Sequence, residues 1–205
     1  MDTQFLRTIQ QENIQLKEQV GRLREYVQSM QRLYRAALQL LSEKDIMALL
    51  DKTLSYAMQV LGARDGSVLI LDEETDDLVF VLVLGTVRER LPGYRIPRHD
   101  GIAGWVVDHR EPVIVNNART DARFSSRVDE AFNFETRSLV CAPLISRGKV
   151  LGAVEILNKA GNLPFEETDL DLLSVLALIA AIALDDLARA PEPDAERALA
   201  ARATA

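Results

Sequence analysis

Cys141, His99 and His109 are the only thiol and imidazole groups in 205 residues. Tight metal sites draw on clusters of such ligands, so no metal site is expected. Cys141 lies between Val140 and Ala142 in an apolar run that reads as a central strand. A thiol there serves as a small core hydrophobe, and a lone cysteine has no intramolecular disulfide partner. His99 falls in a loop and His109 at a helix end, where histidines are ordinarily surface residues. Gly101 and Gly104 are too close for a phosphate-cradling loop and lack the following Lys-Ser/Thr. No serine sits in a nucleophile elbow. The residues point away from catalysis, and the expected protein is not an enzyme.

Groups suited to recognition gather in one irregular stretch. Arg95, Trp105, Arg119, Arg123 and Arg137 are the candidate ligand-binding residues. One or two of the arginines could hold an anion through bidentate contacts; each taken singly also fits ordinary surface charge. Trp105 follows Gly104 at the start of a short helix, where it either packs on a sheet or stacks on a ligand. Asp121 reads as an N-cap for a helix over Phe124 to Phe132.

The elements that must position these groups begin with a long helix. Steps of three and four run through Leu6, Ile9, Asn13, Leu16, Val20, Leu23, Val27, Met30, Tyr34, Ala37 and Leu41. This is a five-heptad coiled-coil seam over residues 1–41. Asn13 falls at an a position, where a buried Asn pairs with its own copy and selects a parallel, in-register dimer. Val20 and Val27, β-branched at a, also suit two strands. An antiparallel hairpin or docking on another protein's helix are the alternatives. At ~1.5 Å per residue the helix is roughly 54 Å long, enough to act as a lever as well as a clasp.

Residues 42–188 read as one α+β domain. Asp45 caps a helix with the apolar stripe Ile46, Leu49, Leu50, Leu54, Ala57, Met58 and Leu61, stopped by Gly62. Ser67 to Leu71 and Leu78 to Leu84 form a hairpin across an acidic turn. Gly85 to Pro97 is irregular, followed by a helix at Ile102 to His109 and a short strand at Val113 to Val115. Leu139 to Ile145 and Val150 to Leu157 form a second hairpin through Ser146-Arg147-Gly148-Lys149. Gly152 and Ala153 allow close approach of another element. A helix from about Glu166 to Leu187 is apolar on more than one face, so one side should cover the sheet and the other a second subunit. The expected fold is a mainly antiparallel sheet flanked by helices, with Gly85 to Arg137 covering one face and leaving room for a ligand pocket. Residues 189–205 turn Pro/Ala/charged and read as a disordered tail.

Bulk properties agree. The net charge of −7 argues against nucleic-acid and anionic-membrane partners. The first 30 residues carry no signal-peptide core, and the longest apolar run, Leu172 to Leu184, is too short to span a bilayer. A cytoplasmic protein is expected.

Several stretches, in order, resemble the GAF domain family: Gly101-Ile102-Ala103-Gly104-Trp105-Val106, Asp121-Ala122-Arg123-Phe124, Ser138 to Leu144, and Val150 to Lys159, with Phe165 and Asp169 beyond. The resemblance covers about Leu40 to Leu187. It implies a GAF-like sheet and a small-molecule sensing or regulatory role. Cyclic-nucleotide-binding members carry an Asn-Lys…Phe…Asp-Glu signature; here Asn158, Lys159, Phe165 and Asp169 match it, and Leu170 replaces the final acid. Lys159 ends a strand and Asp169 begins a helix, so an ion pair between them would pin that connection, a structural role. Family members that hold bilins, haem or iron, or that reduce free methionine sulfoxide, need exposed or multiple cysteines or histidine clusters that this chain lacks. No cofactor is assigned beyond an unidentified small-molecule or nucleotide ligand. Two readings stand: a dimeric sensor that signals through its coiled coil to a downstream protein partner, and a ligand-free dimeric scaffold.

Overall fold

The computed structural model describes residues 3–189; the tail read as disordered lies outside them. Helix α1 runs from Thr3 to Leu41, over the whole predicted seam. The side chains of Leu6, Ile9 and Met30 are outside the described set, whereas those of Asn13, Leu16, Val20, Leu23 and Val27 are exposed along the single chain. Contacts divide the molecule into two units that meet between Gln39 and Leu40. None of the helices described is long and apolar enough to cross a membrane.

The second unit begins with α2 (Ile46–Leu61). Asp45 caps it, its Oδ1 accepting from the Ala48 N–H at 2.7 Å, and Gly62 ends it in the left-handed conformation at φ 66°. The chain then forms β1 (Ala63–Asp72), β2 (Asp77–Leu84), β3 (Arg95–Pro97), α3 (Gly101–His109), β4 (Val113–Val115), α4 (Arg127–Phe132), β5 (Leu139–Ser146), β6 (Lys149–Lys159) and α5 (Glu167–Arg189). The strands make one antiparallel sheet in the order β3-β2-β1-β6-β5-β4. The first and second hairpins thus lie side by side at its centre.

Three details differ from expectation. The stretch from Gly85 to Pro97 is not wholly irregular, because Arg95–Pro97 adds an edge strand to β2. Pro97 fits there because an edge strand spares one row of backbone N–H groups. The helix after Phe124 begins only at Arg127, with Ser126 at its N-cap. Asp121 therefore caps no helix; its carboxylate accepts from the Arg123 backbone N–H and guanidinium instead.

The sheet is buried on both faces. Helices α2 and α5 pack on one face, against β1 and β5. Alternate strand residues, including Leu69, Leu78, Phe80, Leu139, Cys141 and Ala153, point to the other face and share a core with Ile102, Val106 and Val107 of α3. Gly152 permits the central pairing: a Cβ there would stand 1.9 Å from the Leu69 carbonyl oxygen. The β5–β6 turn places Arg147 and Gly148 at φ 50° and 79°. Two successive positive φ angles give the twist that tight hairpins need.

Candidate functional site

Under the α3–α4 segment the sheet face is not completely filled. A cavity of about 80 Å3 remains between β1, β2, β5 and β6 below and the segments around α3 and α4 above. A water needs ~10–15 Å3 on this measure, so the space holds a small molecule. Its walls are chiefly apolar, from residues such as Phe80, Val83, Leu91, Ile102, Phe124 and Leu139.

Register brings the polar groups together. Ser67 of β1 pairs with Glu155 of β6, Asp65 with Leu157, and Glu155 with Cys141 of β5. Side chains two residues apart on a strand share a face, so Asp65, Ser67 and Glu155 all stand on the cavity floor. Ser67 donates its hydroxyl to Glu155 Oε2 at 3.0 Å. Glu155 Oε1 has no hydrogen-bond partner among the described residues. Glu155 is 9 % exposed and lies in the cavity wall. Burial pushes its carboxyl up to about 7, against the opposing pull of the Ser67 hydroxyl.

Asp65 is likewise buried. Its Oδ1 accepts from the Thr86 backbone N–H at 2.7 Å. Gly85 makes that contact possible, since a Cβ there would fall 2.4 Å from the same oxygen. The roof adds two better-satisfied acids. Asp129 accepts from Thr136 Oγ1 at 2.7 Å and from the Thr136 N–H at 2.9 Å, with Arg119 Nη2 at 3.4 Å. Asp100 meets Arg127 Nε at 3.0 Å. Four acids and no Lys, Arg or His line the cavity.

The five candidates from the sequence lie outside that lining. Arg95 sits exposed on edge strand β3, bound to Asp72 Oδ2 at 2.6 Å and Thr75 Oγ1 at 2.8 Å, where it braces the first hairpin turn. Arg123 holds Asp121 through two parallel bonds of 2.9 and 2.7 Å, and its guanidinium lies 4.6 Å from the Trp105 ring centroid. Trp105 stacks on His109 at 4.2 Å and packs against the buried cluster. Arg119 serves Asp129 and lies over Phe124. Arg137 is exposed; its backbone N–H donates to Asn158 Oδ1 at 2.9 Å. Three of the four arginines are held by carboxylates, Arg95 by Asp72, Arg119 by Asp129 and Arg123 by Asp121, and none of the four lines the cavity. The polar floor came instead from regular strands, where the visible signal was Glu155 interrupting the run Val150 to Leu157.

The Asn158–Asp169 motif lies at the end of β6. Asn158 Nδ2 donates to the Glu135 carbonyl at 2.9 Å, so its amide fastens the segment entering β5. Lys159 Nζ meets Asp169 Oδ2 at 2.5 Å and lies 5.6 Å from the Phe165 ring centroid. The same Asp169 oxygen accepts from the Glu166 N–H at 2.9 Å, closing the entry to α5. Cys141 is fully buried, and burial, then the neighbouring Glu155, pushes its thiol well above the ordinary range. Such a thiol is a poor nucleophile at neutral pH.

The model of the GAF domain family matches residues 45–184. A probable 3',5'-cyclic phosphodiesterase pde-5 of Caenorhabditis elegans is 29% identical over 146 residues, covering 67% of this chain and 20% of that protein. The dual 3',5'-cyclic-AMP and -GMP phosphodiesterase 11A of Takifugu rubripes is 34% identical over 112 residues, covering 51% of this chain and 12% of that protein. The chain thus spans about a fifth or less of the length of these relatives. The GAF domain of a phosphoenolpyruvate-protein phosphotransferase from Coxiella burnetii superposes with a TM-score of 0.70 at 20% identity, over 78% of this chain and 94% of that one. The free methionine-R-sulfoxide reductase from Neisseria meningitidis, solved with its substrate, gives 0.66 at 23% identity, over 78% and 89%. At such identities the likeness is one of fold. With its central pair of hairpins, its helix-covered sheet and a family match over more than half its length, the chain belongs to the GAF domain family.

Proposed function

We propose that this protein is a non-catalytic regulatory module of the cytoplasm that senses a small molecule. GAF domains are small-molecule-sensing regulatory domains. The ligand would occupy the cavity between the sheet and the α3–α4 segment. Two chains would associate through the α1 seam, and the coiled coil would pass the liganded state to a partner protein. The observation that carries this reading is a cavity over the centre of the sheet into which a buried, half-satisfied carboxylate projects. Its open oxygen faces the cavity space rather than packed protein, so a ligand donor can reach it. Absence of turnover is supported by the burial of Cys141 and its raised thiol. Signalling requires that ligand bind two arrangements of the helices with different affinity.

Native mass spectrometry of the purified chain beside a denaturing spectrum tests the reading. A dimer carrying a small extra mass that is lost on denaturation supports it. Thermal-shift screening of small metabolites, cyclic nucleotides included because the curated relatives are cyclic phosphodiesterases, then identifies the class. The modest cavity volume favours one alternative, a ligand-free dimeric scaffold. A bare dimer that no screened compound stabilises would replace the sensor by that scaffold.

A further inference from the structure

The charge of the cavity narrows what it can take, provided that the cavity is the ligand site. Its four acids divide into two pairs. Asp129 and Asp100, in the roof, are engaged by Arg119 and Arg127. Asp65 and Glu155, on the floor, form no salt bridge with any described residue, although they are 7 % and 9 % exposed. Each has one oxygen in a single protein hydrogen bond, to Thr86 N–H and Ser67 Oγ respectively, and each has a second oxygen without a partner. Asp65 faces Leu157 across the β1–β6 ladder and Ser67 faces Glu155. The two carboxylates are therefore diagonal neighbours on one face, a placement that separates Cα positions by roughly 7–8 Å. A donor group of a few atoms can reach both.

We propose that the cavity selects a small organic cation, a primary ammonium on a short apolar body, with the ammonium donating to Glu155 and Asp65 and the body lying against Phe80, Ile102, Phe124 and Leu139. An ammonium offers three donors and no acceptor, which matches two open carboxylate oxygens. The apolar walls suit a hydrocarbon body. A phosphate or carboxylate ligand would meet like charge on the floor and no cation in the lining. Among the described residues no group of three or more His, Cys, Asp and Glu is placed to hold a metal ion.

Glu155 couples this binding to pH. The groups facing it are Ser67 and Asp65 from β1, Cys141 from β5, and the roof acids Asp100 and Asp129; none of them is a cation. Burial holds its carboxyl near 7, so at lower pH it is protonated and the ammonium must displace that proton. Affinity for an amine that stays charged should rise about tenfold from about pH 6 to about pH 8.

The test compares three probes that share one body: 3-methylbutylamine, 3-methylbutanol and 3-methylbutanoate, with cyclic AMP and cyclic GMP beside them. Binding to the full chain is read from the methyl NMR shifts of Val83, Ile102 and Leu139. The amine should bind at least tenfold more tightly than the alcohol, and the carboxylate should leave the methyls unmoved. Glu155→Gln, and separately Asp65→Asn, should each weaken the amine tenfold or more, and Glu155→Gln should abolish the pH dependence. Thermal unfolding verifies that both variants are folded. If the alcohol, the carboxylate or a cyclic nucleotide moves these methyls better than the amine, the ammonium assignment falls while the sensor reading survives. An amine that binds Glu155→Gln as well as it binds the native chain also overturns it. If no probe moves the methyls at millimolar concentration, the assignment is lost, and the sensor reading then rests on the mass spectrum and the metabolite screen.

Discussion

Glu155 is the residue on which the most depends, and its effect on the unliganded chain has a definite sign. Its folded value, about 7, lies above the ordinary 4.5 because burial disfavours the charged form. The folded state therefore holds the proton more tightly than the unfolded state. The stability this contributes is complete below pH 4.5 and is lost as pH rises through about 7. Integrated, the difference is about 3 kcal/mol. Glu155→Gln should remove that fall: urea unfolding between pH 5 and pH 8 should show the native chain weakening relative to the variant by roughly that amount. A parallel pair of curves would mean that Glu155 is ionised and solvated throughout. Cys141 gives a second readout at the same place. Buried beside Glu155 with a raised thiol, it should react with iodoacetamide only on unfolding, at a rate that follows global stability. The cavity floor was poorly legible in the sequence for a physical reason. Glu155 lies 88 residues from Ser67, and only the antiparallel register of β1 and β6 makes it a neighbour of Ser67 and Asp65. The arginines of the irregular segment drew attention because charge in a loop is visible locally. That Arg95 is spent on Asp72 and Arg119 on Asp129 is a tertiary fact, whereas Arg123 pairs with Asp121 two residues away and Arg137 stays exposed.

Elements were more legible than sites, since their signals are local. Asp45, the stripe from Ile46 to Leu61 and Gly62 delimit α2 without tertiary information, and the structure places the cap and the left-handed stop at those residues. Replacing Asp45 by alanine should cost about 1 kcal/mol by losing the bond to the Ala48 N–H, read as a lower midpoint in urea. The two hairpins followed from alternation and turn chemistry. Strand β3 has no sequence signal, because three residues ending in proline carry no period. Helix α4 begins later than Asp121 suggests, at Arg127, because Asp121 finds its partner in Arg123 and not in a helix N–H. The connection from β6 to α5 depends on Asp169, whose one oxygen serves both Lys159 and the Glu166 N–H. Its ion pair is shielded, the side chains being 18% and 14% exposed. A double-mutant cycle of Lys159→Met and Asp169→Ala should give a coupling of about 1 kcal/mol, and Asp169→Ala alone should cost more than Lys159→Met because it also removes the cap. Zero coupling would reduce the motif to that backbone cap.

At the scale of the whole molecule, the described residues leave apolar side chains exposed along two long helices. One set is the α1 seam, where Leu16, Val20, Leu23 and Val27 are 43–62% exposed. The other lies on α5, through Val175, Leu178 and Ile182. The heptad argument assigns the first to a parallel dimer, and the helical spacing of the second suits a helix of a second copy. Magnitude separates their expected contributions. Changing Leu16 and Leu23 to glutamate alters four leucine sites in a dimer, and at ~1.5–3 kcal/mol each the loss is roughly 6–12 kcal/mol. That approaches the entire ~12 kcal/mol of a nanomolar dimer. Sedimentation of the double variant should therefore show a monomer. Leu178→Glu alters two sites, so it should weaken the dimer and leave it detectable at micromolar concentration. Asn13→Ile should act in the opposite sense, raising the thermal midpoint while admitting trimers, because an a-position amide in the proposed parallel dimer trades stability for register and strand number. If the Leu16/Leu23 variant stays dimeric and the Leu178 variant dissociates, association belongs to the α5 stripe, and the long α1 helix becomes a surface for a different protein.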